Sequence, residues 1–457
     1  MDQAITTYLL KNRGQHLTEL KEFLGIPSIS SLPEHKEDVQ KAAGWVAQSL
    51  QAIGMENVKV YDTKRHPVVY GEWLKAEGKP TVLIYGHYDV QPVDPLNLWD
   101  SPPFEAEIRD EKIYARGATD DKGQVFMHLK ALQAILQTTG TLPINVKFLI
   151  EGEEEVGSPN LPLFVKENKE LLSSDVVVIS DTSMIERGKP AICYGLRGLC
   201  GLQIDVKGPK SDLHSGLYGG MVQNPIHALV EIVNSFHNEK GQITVEGFYD
   251  QVAELTAAEK AAYESLGITD KSFINQLGVP ELFGEEGYTS LERTWVRPTL
   301  EVNGIYGGFQ GEGIKTVIPS EAHAKITCRL VPDQDPDVIV ELLQKHIQSH
   351  TPPGVSVKVT PFDKGPSFVT PFDHPAIQAA GRAYEKVYNV PTSFTRMGGS
   401  IPIVAVFDQI LNKPVVLMGF GLPDENFHAP NEHFNLENFD KGMETICYYW
   451  YELEQSL

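Results

Sequence analysis

The segment Val146-Lys147-Phe148-Leu149-Ile150 continues directly into Glu151-Gly152-Glu153-Glu154-Glu155. The first five residues form a short apolar run typical of a buried strand. The next five place four carboxylates at the end of that strand. Carboxylates this close repel one another, and burial raises their pKa values unless a cation lies among them. A charged loop capping a strand is the plainer interpretation, and the rest of the chain decides between it and a metal site.

Similar strands recur along the chain and alternate with helices. Continuous apolar runs at 81–86, 175–180 and 414–418 are typical of strands covered on both faces. Residues 122–137 have the apolar spacing of an amphipathic helix. The same spacing is found at 4–24, 37–53 and 374–388. This alternation predicts an α/β domain in which helices flank a mostly parallel sheet.

The sequence pattern changes after about residue 196. Alternating segments at 202–206 and 323–327 predict half-exposed antiparallel strands, and helices at about 224–237 and 336–349 would cover one face of their sheet. Segment 241–300 is polar and irregular and resists assignment. The predicted domains are a discontinuous α/β domain in two parts, 1–195 and 372–457, and an inserted α+β domain, 196–371.

Composition and charge exclude several classes of partner. Of the 457 residues, 39 are Lys or Arg and 61 are Asp or Glu, which gives a net charge of −22 and argues against nucleic acid or an anionic membrane. We find neither a signal-peptide pattern nor an apolar run of membrane-spanning length. Four cysteines without metal-binding spacing are typical of reduced thiols, so we expect a cytoplasmic protein. They are Cys193, Cys200, Cys328 and Cys447.

Polar residues follow the predicted strands at their carboxyl ends, where open α/β sheets bind ligands. These residues are His87 and Asp89 after 81–86, the acidic run after 146–150, Asp181 after 175–180, His428 beyond 414–418, and Asp120 with Asp121 before the helix at 122–137. Each alone has a plain structural explanation, such as a helix N-cap or a core histidine. Their convergence on one sheet edge favours a functional site.

The types of these side chains indicate the chemistry. Two histidines and several carboxylates without cysteine form a nitrogen and oxygen ligand set that suits zinc or, with more carboxylates, manganese. One tetrahedral ion uses fewer carboxylates than are available, whereas two ions about 3.5–4 Å apart would use them. If such ions bind hydroxide, a nearby carboxylate outside the ligand set is also needed to carry its proton. Motifs for zincins, phosphate loops, serine hydrolases and dinucleotide binding are absent.

Several blocks resemble, in order, the signature of dinuclear-metal exopeptidases. That family includes acetylornithine deacetylase and carboxypeptidase G, and the similarity is closest to the carnosinase-type cytosolic nonspecific dipeptidases. It spans nearly the whole chain. The blocks are Gly86 to Pro92, Arg116 to Gly123, Glu151 to Ser158, Ile179 to Asp181, Asp212 to Gly216, Lys315 to Pro319, Cys328 to Pro332, Gly398 to Pro402 and Asn426 to Glu432.

The resemblance implies a role for each matching residue. The implied roles are His87 and Asp181 on one metal, Glu155 and His428 on the other, Asp120 bridging, Asp89 orienting His87, Glu154 as general base and acid, and His214, Thr316, Arg329 and Ser400 binding substrate or the oxyanion. It also implies a cis peptide bond between Asp120 and Asp121. A homodimer follows, since His214 would reach the partner's active site, with the inserted domain as interface and lid.

The implied activity is that of a metal-dependent dipeptidase. Glu154 would take a proton from water activated by two zinc or manganese ions, and Arg329 would hold the free C-terminal carboxylate of the substrate. An N-acyl-amino-acid deacylase with the same chemistry is the alternative. A protein that only binds metal or peptide is disfavoured because binding needs no spare base, and a two-metal phosphoesterase is disfavoured by the resemblance.

Overall fold

The computed structural model describes residues 3–399 and 401–457. The α-helices are α1 (Gln3–Leu24), α2 (Lys36–Ala52), α3 (Lys122–Thr139), α4 (Leu161–Glu167), α5 (Ser215–Tyr218), α6 (Pro225–Asn234), α7 (Ala257–Ser265), α8 (Asp270–Leu277), α9 (Ser290–Trp295), α10 (Pro336–Ser349), α11 (Pro375–Tyr388), α12 (Pro402–Leu411) and α13 (Leu436–Ser456). Short 3₁₀ helices include Glu154–Val156.

The strands follow the same chain numbering. They are β1 (Glu56–Tyr61), β2 (Val68–Trp73), β3 (Thr81–His87), β4 (Glu107–Arg109), β5 (Lys112–Tyr114), β6 (Asn145–Glu151), β7 (Val176–Ile179), β8 (Ala191–Leu196), β9 (Gly198–Lys207), β10 (Leu213–His214), β11 (Thr299–Gly307), β12 (Val317–Ile318), β13 (Glu321–Leu330), β14 (Ser356–Gly365), β15 (Phe368–Val369), β16 (Ser393–Met397), β17 (Val415–Leu417) and β18 (His433–Asn435).

Unit 1 of the chain comprises residues 1–194, 370–395 and 402–457. Its large sheet has the order β1-β2-β6-β3-β7-β17-β8, and the central strands β6, β3, β7 and β17 are parallel. Strands β1, β2 and β8 add antiparallel edges. The predicted α/β fold with a mainly parallel sheet is therefore confirmed. The central strands are almost wholly buried because helices cover both faces.

Just after β17, the backbone at Gly419 lies very close to the backbone at Thr182. A methyl group at Gly419 would lie 1.8 Å from the carbonyl oxygen of Thr182. We expect Gly419→Ala to lower the free energy of unfolding by at least about 2 kcal/mol, because the two backbones must separate. Urea unfolding measures this. Gly14→Ala is the control: nothing lies within 4 Å of its methyl group inside α1, and it should stabilise by up to ~1 kcal/mol. Equal urea midpoints of unfolding for Gly419→Ala and Gly14→Ala would contradict the close packing of Gly419 against Thr182.

Unit 2 comprises residues 195–369 and 396–401. Its sheet has the order β11-β13-β9-β14 with antiparallel neighbours throughout. Helices α6 and α10 pack their apolar side chains against this sheet in one core. The core includes Ile204, Leu229, Ile326 and Leu343. The alternating pattern read from the sequence thus matches an α+β unit with one covered sheet face.

Segment 241–300, which resisted assignment from the sequence, contains three helices. A threonine precedes each of α7, α8 and α9, and its hydroxyl accepts a hydrogen bond from the N–H of the third helical residue. The side chain of that third residue accepts a hydrogen bond from the backbone N–H of the threonine in return. The pairs are Thr256 with Glu259, Thr269 with Ser272, and Thr289 with Glu292. These helices bury few residues, and their sequences therefore carry few regularly spaced apolar positions. The capping residues were the signal in the sequence that could have indicated where these helices start.

The domain bounds predicted from the sequence differ from the units at three places. Residue 195 belongs with unit 2 and residues 370–371 belong with unit 1. The largest difference is the segment 396–401, which belongs with unit 2, whereas the prediction gave it to the second part of the discontinuous domain. Within unit 2 the Arg396 guanidinium pairs with Glu259 at 2.5 Å, and Arg197 donates to the carbonyl of Gly398 at 3.0 Å. These contacts hold the segment 396–399 in unit 2.

Across residues 3–399 and 401–457, every helix is too short or too polar to span a membrane.

Candidate metal centre

The ends of the parallel strands bring chemically active side chains to one edge of the unit 1 sheet. His87 is the last residue of β3, and Asp181 follows β7 by two residues. Asp120 stands just before α3, and Glu155 lies in the 3₁₀ turn after β6. His428 comes from the loop between β17 and β18, at a φ of 57°. All five belong to unit 1.

Two clusters of potential ligands share one carboxylate. In the first, His87 Nε2 lies 3.2 Å from Asp120 Oδ1 and 3.9 Å from Asp181 Oδ2. In the second, His428 Nε2 lies 2.9 Å from Asp120 Oδ2 and 3.3 Å from Glu155 Oε2. Asp120 therefore turns one oxygen to each cluster. This is the arrangement by which a carboxylate bridges two ions.

The electrostatics of this edge fit bound cations. Burial, and next the charge of Asp120, raise the pKa values of Asp181 and Glu155. Burial acts the same way on Asp120, but its contacts with the His428 and His87 imidazoles hold its pKa below the usual range. The fully buried His87 Nε2 lies near Asp120 without a well-directed hydrogen bond to it. A buried nitrogen in this position among crowded carboxylates suits divalent ions with nitrogen and oxygen ligands.

Asp89 connects His87 to the acidic turn. Its buried carboxylate has Oδ1 3.4 Å from His87 Nδ1, and its own carbonyl oxygen lies 3.1 Å from the same nitrogen. The carboxylate also accepts the backbone N–H groups of Glu154 and Glu155 at 3.2 and 3.1 Å. One side chain thus contacts both a ring that faces the first cluster and the turn that carries Glu155. Such contacts orient metal-binding imidazoles.

The glutamates of the acidic run that ends β6 and follows it have different contacts. Glu155 faces the second cluster, where Gln91 Nε2 donates to its Oε2 at 2.8 Å. Glu151 accepts hydrogen bonds from Tyr85 and Ser158, and burial raises its pKa to about 8. Glu154 belongs to neither cluster. Burial raises its pKa, the charges of Asp120 and Asp89 add to that rise, and the charge of His87 opposes it.

Sequence reasoning assigned no role to several residues that support this edge. Gln91 was noted only within a signature block, and Glu153 only as part of the acidic run. Glu153 is buried and accepts from the His66 backbone N–H at 2.7 Å and from Asn160 at 2.8 Å, so it holds the turn in place. A buried glutamate inside a run of glutamates carries no local signal of its contacts. The peptide bond between Asp120 and Asp121 is cis, as the resemblance implied.

Three of the four residues predicted to bind substrate, His214, Thr316 and Arg329, lie in unit 2. His214 ends β10 and is exposed, and its Nδ1 accepts the Gly216 N–H at 3.0 Å. Thr316 is exposed and precedes β12, and its carbonyl accepts the Ser215 N–H at 3.1 Å. Arg329 is half-buried on β13. Ser400 lies outside the described residues. The roles of these four residues stay predictions.

Two histidine–carboxylate clusters that share one aspartate, at the carboxyl edge of a parallel sheet, suit a hydrolase that uses two metal ions. A family model described as Peptidase family M20/M25/M40 matches residues 83–452. The chain belongs to this family, which confirms the resemblance to dinuclear-metal exopeptidases, and it is therefore a hydrolase of the metallopeptidase type.

Individual proteins are similar to this chain over nearly its whole length. Cys-Gly metallodipeptidase dug1 of Schizosaccharomyces pombe is 33% identical over 97% of this chain and 96% of its own length. Beta-Ala-His dipeptidase of Homo sapiens is 31% identical over 99% and 93%. The M20 family metallo-carboxypeptidase Sso-CP2 from Sulfolobus solfataricus has a similar structure, with a TM-score of 0.83, 33% identity and coverage of 97% and 99%. These relatives do not favour the deacylase alternative.

Proposed function

We propose that this protein is a metal-dependent dipeptidase that hydrolyses dipeptides with a free C-terminal carboxylate. The observation that supports this most is the pair of clusters that share Asp120, with Glu154 next to Glu155 but outside both clusters. Mere metal binding needs no such spare base. The dipeptidase names of relatives along nearly the full chain support the substrate class.

Two divalent ions, zinc or manganese, would be held by His87, Asp120 and Asp181 on one side and by Asp120, Glu155 and His428 on the other, and would supply Lewis acidity toward the peptide carbonyl and the attacking water. Glu154 takes the proton of that water and passes it to the leaving amine. Asp89 keeps the His87 ring in position through Nδ1.

Arg329 would bind the substrate carboxylate with two parallel hydrogen bonds. We expect Arg329→Met to lower kcat/KM for dipeptides by about 10- to 150-fold, since a hydrogen bond to a charged group contributes about 1.5–3 kcal/mol. Kinetics on a dipeptide and on its C-terminal amide measure the effect. The wild-type protein should prefer the free acid, and the variant should lose that preference. An unchanged preference would contradict this role.

We propose that the protein is a homodimer in which His214 serves the partner's active site, that Thr316 and Ser400 bind substrate or the oxyanion, and that unit 2 forms interface and lid. Strand β11 is an edge strand of the unit 2 sheet and exposes Ile305 and Tyr306. An apolar, open strand edge suits pairing with a second copy. Sedimentation should show a dimer, and a fully active monomer would contradict the proposal.

The buried cysteines, none in a disulfide among the described residues, support a cytoplasmic location.

The substrate class can be tested directly. The metal-loaded protein is given dipeptides, the matching N-acetyl amino acids and tripeptides, and free amino acids are measured. We expect release from the dipeptides, and little from the acetylated compounds. Cleavage confined to the acetylated compounds would show a deacylase, and a preference for tripeptides would show a carboxypeptidase instead.

A further inference from the structure

Two buried carboxylates flank His428 in the chain. Glu425 lies three residues before it, and Glu432 lies four residues after it. Both side chains have no exposed surface. Neither belongs to the two candidate metal clusters. Their contacts are nevertheless directed at the segment that carries Asp120.

Glu432 accepts four hydrogen bonds from the segment 116–120. Its Oε2 accepts from Arg116 Nη1 at 2.7 Å and from the Gly117 N–H at 3.0 Å. Its Oε1 accepts from the N–H groups of Thr119 and Asp120 at 3.1 and 3.2 Å. Both oxygens are thus fully used, and one donor is the backbone of the shared metal-binding residue itself.

Glu425 contacts the same segment and its own loop. Its Oε2 accepts from Thr119 Oγ1 and from the Leu422 N–H, both at 2.8 Å. Its Oε1 accepts from the Asn435 N–H at 2.7 Å. The loop that carries His428 is therefore tied to the Asp120 segment on both sides of the histidine. A shift of either segment would leave buried donors and acceptors without partners, which is costly.

We infer that Glu432 and Glu425 are positioning residues that set the spacing of Asp120 and His428, and thereby the affinity of the Asp120–Glu155–His428 cluster for its ion. This inference rests on the proposed function. Hydrogen-bonding groups behind metal ligands commonly change metal affinity by about 10- to 100-fold. The other cluster, which His87 and Asp181 complete, depends on this spacing less, because Glu425 and Glu432 make no hydrogen bond to either residue in the described structure.

The test is Glu432→Gln in two backgrounds. Asp181→Asn disables the first cluster and leaves the one with His428, whereas His428→Ala leaves the one with His87. Zinc dissociation constants are measured by competition with a chromophoric chelator. Glu432→Gln should weaken zinc binding at least about tenfold in the Asp181→Asn background and less than about threefold in the His428→Ala background. Equal weakening in both, or none in either, would overturn the inference.

Glu285→Gln is the matched control. Glu285 is buried in unit 2 and its two oxygens pair with Arg297 at 2.7 Å, so this variant also breaks a buried ion pair. It should lose stability without any change in zinc affinity. Zinc binding weakened as much by Glu285→Gln as by Glu432→Gln would count against a positioning role.

A milder pair of variants covers the case in which Glu432→Gln does not fold. Thr119→Val removes the hydroxyl that donates to Glu425, and Thr119→Ser keeps it. In the Asp181→Asn background, valine should weaken zinc binding and serine should restore it. Equal affinities for valine and serine would overturn the inference. A wild-type protein that binds no divalent ion would contradict the proposed function instead.

Discussion

Glu154→Gln should lower dipeptide turnover about a thousandfold while the protein keeps its metal ions, because general acid–base groups contribute roughly 10²- to 10⁴-fold. Glutamine has nearly the shape of glutamate but cannot take a proton from water. Glu154 lies outside both clusters, so its replacement removes no predicted ligand. Turnover with saturating metal and substrate, together with metal content by atomic emission, measures both parts of this expectation.

Glu151→Gln is the control within the same acidic run. Among the described residues, the donors to its carboxylate are the hydroxyl groups of Tyr85 and Ser158, which a glutamine oxygen also accepts. Burial raises the pKa of Glu151 to about 8, which favours the neutral form, so glutamine changes the charge here less than at an ordinary glutamate. This variant should keep nearly normal turnover. Near-normal turnover by Glu154→Gln with metal bound would remove Glu154 from its assigned role.

Asp120→Asn should have the largest effect on metal binding. Asp120 offers one oxygen to each cluster, and an asparagine has only one oxygen to offer. We expect both ions to bind much more weakly and activity to fall to background. Asp181→Asn touches one cluster only and should retain about one ion per chain. Metal content after dialysis, with circular dichroism as a check on folding, separates the two variants.

Equal metal loss in Asp120→Asn and Asp181→Asn would contradict the shared position of Asp120. Two retained ions in Asp120→Asn would contradict it as well. Either result would require a different ligand set, since Asp120 is the residue that both clusters share within the described part of the chain.

The central strands and long helices could be predicted because their patterns are local. The apolar runs at 81–86 and 146–150 became β3 and β6 within a residue or two, and the helix expected at 336–349 is α10. The strands β4, β5 and β18 were missed because each has three residues of which at most two are apolar, whereas the three residues of β17 are all apolar. The polar helices α7 to α9 were missed because capping, not an apolar period, marks their starts.

The candidate site could be located because parallel strands end at one edge, so His87 and Asp181 must come together there. His428 lies well beyond β17, and only the resemblance pointed to its partner. The support behind the site could not be predicted. Glu432 contacts Arg116 across 316 positions of sequence, and no local pattern records a contact between two distant loops.

The most direct test of a two-ion peptidase site is a metal titration of activity. The stripped protein receives zinc or manganese stepwise, and amino-acid release from a dipeptide is followed at each step. We expect no release from the stripped protein and a rate that reaches its maximum at about two ions per chain. Full turnover by the stripped protein, or a maximum at one ion, would contradict the account.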